Sequence, residues 1–386
     1  MKKILKSILT MAIAATAICL ASCEKDDNSG SSTGTTGNEA VIAQQFVEKT
    51  VSPTYTNLAA KAEELVAKLK TLKATPTDAN VSAACEVFLE ARSWWEKSEA
   101  FLFGAASDFG IDPHIDSWPL DVTGFQDLMN SPAMLANLAG DDGDEWAGEY
   151  LGNALLGFHG IEYILFANGS PKAASAITAD QMTYAVAVAG DLRNRCFQLE
   201  VSWLGNDAPA SHVEKVEDLE LNCTVNGGVS YGQNMKNCGN AGSSYVTPIA
   251  ALVAILDGCS AIADEVGTSK IGQAYHGEDI NYIESPYSQK SINDFHDNIL
   301  SIQNVYYGGV EGNRDETNSL HAYLSKINSS LDQSITAAIS NALEKINQMP
   351  APFVNNYTNA LNEEAIDACG ALDDIMQQAI DYLESL

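Results

Sequence analysis

The stretch Gly157-Phe158-His159-Gly160-Ile161-Glu162-Tyr163-Ile164-Leu165-Phe166 sets an ionisable pair into an apolar run. Between Leu151 and Phe166 the strongly polar side chains are Asn153, His159 and Glu162. At the helical repeat of about 3.6 residues, Leu151, Leu155, Phe158 and Leu165 share a stripe that Glu162 interrupts. His159 and Glu162, three apart, meet on one face. Burying such a pair is expensive unless it is hydrogen-bonded, ion-paired or metal-bound. It either fixes packing or belongs to a site. Gly157 and Gly160 beside the His clear space for another backbone or a ligand.

Outward from this stretch, proline placement organises the chain. The eleven prolines leave long Pro-free runs with helical periodicity and little two-residue alternation. The pattern predicts helices at about 54–73, 78–104, 143–167, 178–203, 245–267, 286–308, 314–348 and 356–384, with 105–142 and 204–244 loop-rich or broken. The expected class is all-α, with two related four-helix-like bundles at 40–205 and 206–386. Trp95 to Gly104 and Ile299 to Gly308 echo one another, each ending in an aromatic residue and Gly, which suggests an internal duplication.

The 386 residues carry 51 acidic against 21 basic side chains, a net charge of −30. That balance argues against sequence-independent binding to nucleic acid or anionic lipid. Lys2, Lys3 and Lys6 precede an apolar run from Ile8 to Leu20, and Leu20-Ala21-Ser22-Cys23 resembles a lipobox. Residues 1–22 read as a signal peptide and Cys23 as the lipid anchor, the sole membrane attachment expected. Glu24-Lys25-Asp26-Asp27 resembles the acidic surface-export signals of Bacteroidetes-like bacteria. Residues 23–39 read as a flexible Gly/Ser/Thr tether. The expected location is the outer membrane, on its periplasmic or cell-surface face. Six cysteines remain beyond the anchor, and Cys223 with Cys238, bracketing a Gly/Asn-rich loop, form the candidate disulfide.

Further blocks supply candidate site residues. Arg92, Glu96, Glu99 and Phe103 fall on one side of a helix beside Trp95; Arg92 and Glu96 suit a surface i,i+4 pair, whereas Glu99, after Ser98 and before an apolar run, does not. Asp112-Pro113-His114-Ile115-Asp116-Ser117-Trp118-Pro119-Leu120-Asp121 is a rigid acidic loop, built either for turn chemistry or as the wall of a cation site. Before Tyr287, Ser285 suits an N-cap and Pro286 a first helical turn, leaving Glu284 to aim between the halves.

In this order, the Arg92–Gly104, Asp112–Asp121, Gly157-x-His159-x-x-Glu162 and Glu284–Ser288 blocks resemble the imelysin family, classed with the M75 peptidases. The resemblance covers about residues 40–384. It implies two related helical bundles with a site at their interface, in bacterial envelope proteins linked to iron uptake or regulation. It places the motif on His159 and Glu162 as metal ligands, with Arg92, Ser98, Glu99, Asp116, Glu284 and Ser285 lining the site. The partners implied are a metal ion or small metal-containing ligand, and iron-transport proteins.

An imidazole with carboxylates suits iron or zinc. His-x-x-Glu reverses the Glu-x-x-His order of di-iron helices, and His321, followed by Ala322-Tyr323-Leu324, supplies no second copy. A zincin helix would need His at position 163, where Tyr stands, so the metallopeptidase suggested by the family's class is the alternative. A structural or adhesion lipoprotein is the third reading.

Overall fold

Threonine and asparagine side chains cap five of the main helices. A computed structural model describes residues 37–386. The signal segment, Cys23 and the tether as far as residue 36 lie outside the described residues. The main helices are α1 (Ser52–Ala74), α2 (Asp78–Glu96), α3 (Gly157–Leu165), α4 (Ala179–Leu204), α5 (Pro248–Glu265), α6 (Ser291–Tyr306), α7 (Ser329–Gln348) and α8 (Ala360–Glu384). The side chains of Thr77, Thr178, Thr247 and Asn359 accept backbone N–H groups at the starts of α2, α4, α5 and α8. Thr178 and Gln181 complete a reciprocal capping box. A two-stranded antiparallel ladder, Phe166–Ala167 with Ser170–Pro171, is the regular β-structure among the described residues.

Helices α1, α2 and α4 pack together, with α3 laid against α2 and α4. Helices α5, α6, α7 and α8 pack together in the second half. The two sets meet where α6 lies on α2, and where the 3-10 turn Glu99–Phe101 lies on α5 and α6. Aromatic burial anchors this region. Phe46 touches Phe101, Phe103 and Trp203, with ring centroids 5.9, 6.2 and 6.4 Å away. The all-α expectation holds. No helix among the described residues is long and apolar enough to cross a membrane.

Several expected boundaries move. The helix expected over 143–167 is two: Gly143–Tyr150 and α3, separated by extended Leu151 and Leu156. Leu151 and Leu155 therefore do not share a helical stripe with Phe158. The cause is tertiary. Gly157 opens α3 at φ +67, and a Cβ there would lie 1.8 Å from the Ile115 carbonyl oxygen. A Cβ on Gly160 would lie 2.3 Å from the Tyr184 hydroxyl, which donates to the Leu155 carbonyl. Protein fills the space both glycines leave.

The helix expected over 78–104 stops at Glu96 and resumes as the 3-10 turn. That expected over 314–348 is interrupted at Asn328, whose side chain caps α7. The helix expected from Pro286 starts at Ser291: Ser285 has φ +48, and its hydroxyl donates to Asp294 rather than capping a helix. The stretches 105–142 and 204–244 hold short helices, including Ile111–Ile115, Val122–Met129 and Tyr231–Lys236. Cys223 and Cys238 are free buried thiols instead of a bridge; the Cys223 thiol points at the Gln198 carbonyl, 3.6 Å away.

Gly157→Ala is expected to lower unfolding free energy by roughly 2–5 kcal/mol, through left-handed backbone strain and collision with Ile115. Gly152→Ala, with open space at the Cβ position and negative φ, should stay within about 0.5 kcal/mol. Urea melts of both variants check the contrast.

Candidate functional site

Where α2, α3 and the segment before α6 converge, the apolar core gives way to a buried ionic network. Arg92, on the inward face of α2, is 2 % exposed, and Glu96 one turn later is fully buried. The surface pair expected from i,i+4 spacing is therefore an interior one. The guanidinium Nη2 lies 2.5 Å from Glu96 Oε1 and 2.6 Å from Glu284 Oε1, while Nη1 pairs with Asp116 Oδ1. Its Nε is 3.9 Å from Asp294 Oδ2.

Asp116 is delivered by the acidic loop. The short helix Ile111–Ile115 ends there, and its Oδ2 accepts the Trp95 indole N–H at 2.6 Å. Farther along the same loop, Asp121 serves turn chemistry, accepting the Gly124 N–H at 2.9 Å. The loop thus combines turn chemistry at Asp121 with an ion pair at Asp116.

His159 is 1 % exposed beneath the Trp118 ring, with ring centroids 4.7 Å apart. Its Nε2 lies 3.1 Å from Asp116 Oδ1, and its Nδ1 3.6 Å from Glu162 Oε2. Neither nitrogen makes an aligned hydrogen bond, so both are charge contacts only. Glu162 Oε1 accepts the Ser288 backbone N–H at 2.7 Å, tying α3 to the loop before α6. Donor atoms of Asp116, His159 and Glu284 lie within 4.8 Å of one another, as do those of Glu96, Glu99 and Asp116. Glu162 belongs to neither group; it sits behind His159.

Not every expected residue lines the site directly. Ser98 turns back to donate to the Trp95 carbonyl at 2.6 Å. Ser285 donates to Asp294 at 2.5 Å and touches the network through that carboxylate. Glu99, Asp116 and Glu284 do line a cavity of about 200 Å³, with Asp112, Glu265 and Lys270. Lys270 had no sequence signal. It sits on a π-helical turn, Val266–Ile271, that continues α5, and its Nζ lies 3.3 Å from Glu284 Oε2, 3.8 Å from Glu96 and 4.0 Å from Glu99. Single extra-residue turns of this kind often mark functional positions.

Burial and pairing sort the network by proton affinity. Burial favours the neutral form of Asp116, but Arg92 and His159 outweigh it and hold the carboxyl well below the usual range. Glu284 is likewise lowered, with Lys270 and Arg92 prevailing over burial. Burial pushes Glu96 and Glu99 well above the usual carboxylate range, Asp294 to about 7 and Asp112 to about 6. Burial disfavours a charged His159, yet Asp116 and Glu162 raise it to about 9.

The sequence model of the family described as Imelysin matches residues 51–379. Iron-regulated protein A of Synechococcus elongatus is 26% identical over 342 residues, covering 87% of this chain and 84% of that protein. A crystal structure described as an iron-regulated protein A precursor, from Parabacteroides distasonis, superposes with a TM-score of 0.76 at 25% identity, covering 91% of this chain and 96% of that one. An imelysin-like protein from Psychrobacter arcticum 273-4, 16% identical, has a TM-score of 0.63 over 90% of this chain and 96% of its own, and shares the fold.

Arg92→Ala leaves buried carboxylates without their cation and should cost roughly 3–5 kcal/mol in a urea melt. The pH dependence has a definite sign. Asp112, Asp294 and His159 have raised folded pKa values of about 6, 7 and 9, so the folded chain holds more protons than the unfolded one. Stability of the chelator-treated protein should therefore fall as pH rises, first as the carboxyls ionise and then as His159 deprotonates near 9. Asp116 and Glu284, lowered, act in the opposite sense and lose their contribution only in acid. His159→Gln should flatten the alkaline part of the curve, read as denaturant midpoint against pH.

Proposed function

The chain belongs to the imelysin family, and on that basis we propose that it binds a transition-metal ion at Asp116, His159 and Glu284, in service of iron uptake or regulation. The observation that carries this reading is His159: a buried imidazole with no aligned hydrogen bond, its nitrogen beside two ionised carboxylates. One nitrogen and carboxylate oxygens suit ferrous iron, zinc or manganese. Glu162 behind Nδ1 is placed to orient the ring. Asp112 and Glu265 at the cavity give an approaching cation a negative path inward.

Arg92 and Lys270 hold the carboxylates in place before any ion arrives. The same pairing favours a second reading, in which the network is complete in itself and only joins the helices. The iron link is drawn from the names of relatives. Attachment through Cys23 to the outer membrane, and delivery to iron-transport partners, belong to this proposal as well. A metallopeptidase is less well supported: Tyr163 stands where a zincin helix needs its second His, and its ring packs 5.0 Å from Tyr287.

Isothermal titration of the chelated protein with Fe²⁺, Zn²⁺ and Mn²⁺ tests the proposal. Tight binding of one ion per chain is expected, with proton release, because His159 must lose its proton to become a ligand. His159→Gln and Asp116→Asn should each weaken it by roughly 10–100-fold while circular dichroism stays unchanged. Folded variants that bind as the parent does, or a parent that binds no metal, would leave the structural reading.

A further inference from the structure

Beside the metal cavity lies a second, larger one of about 570 Å³, and Glu99, Leu102 and Glu265 line both. We propose that this second cavity binds a small organic cation with an apolar body, an arylalkylamine being the simplest case. Its size falls within the roughly 300–1,000 Å³ of small-molecule sites. Phe103, Tyr231, Tyr245 and Ile262 give it apolar and aromatic walls. Its charged lining residues are Glu99, Asp108, Asp257 and Glu265, and no Lys, Arg or His lines it.

Glu99 supplies the second, independent sign of a ligand. Its side chain is 4% exposed, accepts no hydrogen bond among the described residues, and has Lys270 Nζ as nearest cation at 4.0 Å. A buried carboxyl that accepts no hydrogen bond, at the edge of a cavity, offers its carbonyl oxygen to an ammonium group even when burial keeps it protonated. Asp108 is already engaged by the Tyr231 hydroxyl, which donates to it at 2.7 Å. That bond fixes the Tyr231 ring as a wall, and aromatic faces attract cations as carboxylates do. A bare metal ion is a poor match, since Asp108, Asp257 and Glu265 belong to neither group of converging donor atoms. An anion of the same shape would meet four acidic side chains and no base.

The test is calorimetric titration of the full chain with phenethylamine and, separately, with 3-phenylpropionate. Saturable amine binding is expected, about tenfold or more tighter than the anion and weakened by salt. Asp257→Asn, at an exposed position, should weaken the amine, and Ala254→Phe, filling the cavity, should abolish it, with circular dichroism as for the parent. His159→Gln should keep amine binding, which separates this site from the metal reading. No saturable binding of phenethylamine, equal affinity for 3-phenylpropionate, or amine binding unchanged in both cavity variants would overturn the proposal.

Discussion

A single buried guanidinium holds this structure to its arrangement. Arg92 pairs with Asp116, 24 positions away, and with Glu284, 192 positions away. It therefore ties helix α2 to the acidic loop and to the second half of the chain at one point. Taking a charge out of water costs several kcal/mol, and one partner rarely compensates it. Arg92 has four carboxylates around it. The contact of α6 on α2 is thus fixed in register by charge as well as by packing. Apolar side chains tolerate small slides; a planar fork between two carboxylates does not.

The network's second property is inequality among similar groups. At Asp116 and Glu284 the neighbouring cations outweigh burial and keep the carboxyls ionised, whereas at Glu96 burial outweighs even the Arg92 contact. Glu96 and Glu99 are pushed toward the protonated form because burial dominates. Like groups held at different proton affinities give a site both fixed charges and exchangeable protons. An incoming cation can then be balanced by protons leaving, with little movement of the chain.

The parts of this arrangement that depend on local chemistry were readable in the sequence. Helix α4, expected at 178–203 from a Pro-free run of helical periodicity, spans Ala179–Leu204, and the Thr178–Gln181 capping box fixes its start. His159 and Glu162 stood out as polar residues in an apolar run, and both are buried. What could not be read was decided from elsewhere in the chain. The Ile115 carbonyl packs where a Cβ at Gly157 would lie, at the start of α3, and Glu284 and Asp116 turn the Arg92–Glu96 spacing, ordinary on a surface, into an interior pair. Ser285 has the composition of a cap but takes a left-handed backbone and serves Asp294. Lys270 carried no mark, since a lone lysine in Gly267-Thr268-Ser269-Lys270-Ile271-Gly272 resembles any solvent-facing one.

That lysine depends on the wide turn at Val266–Ile271. Such a turn accommodates one residue more than an α-helical turn, and each residue of an α-helix turns the chain by about 100°. Loss of a single codon there would let the helix close to regular geometry, the flanks keeping their faces while the residues of the turn itself are repositioned. Lys270 would leave Glu284, although no residue of the ionic network had itself been changed. The segment is therefore a place where length, more than residue identity, is under constraint, and where an otherwise mild deletion would act as a lesion at a distance.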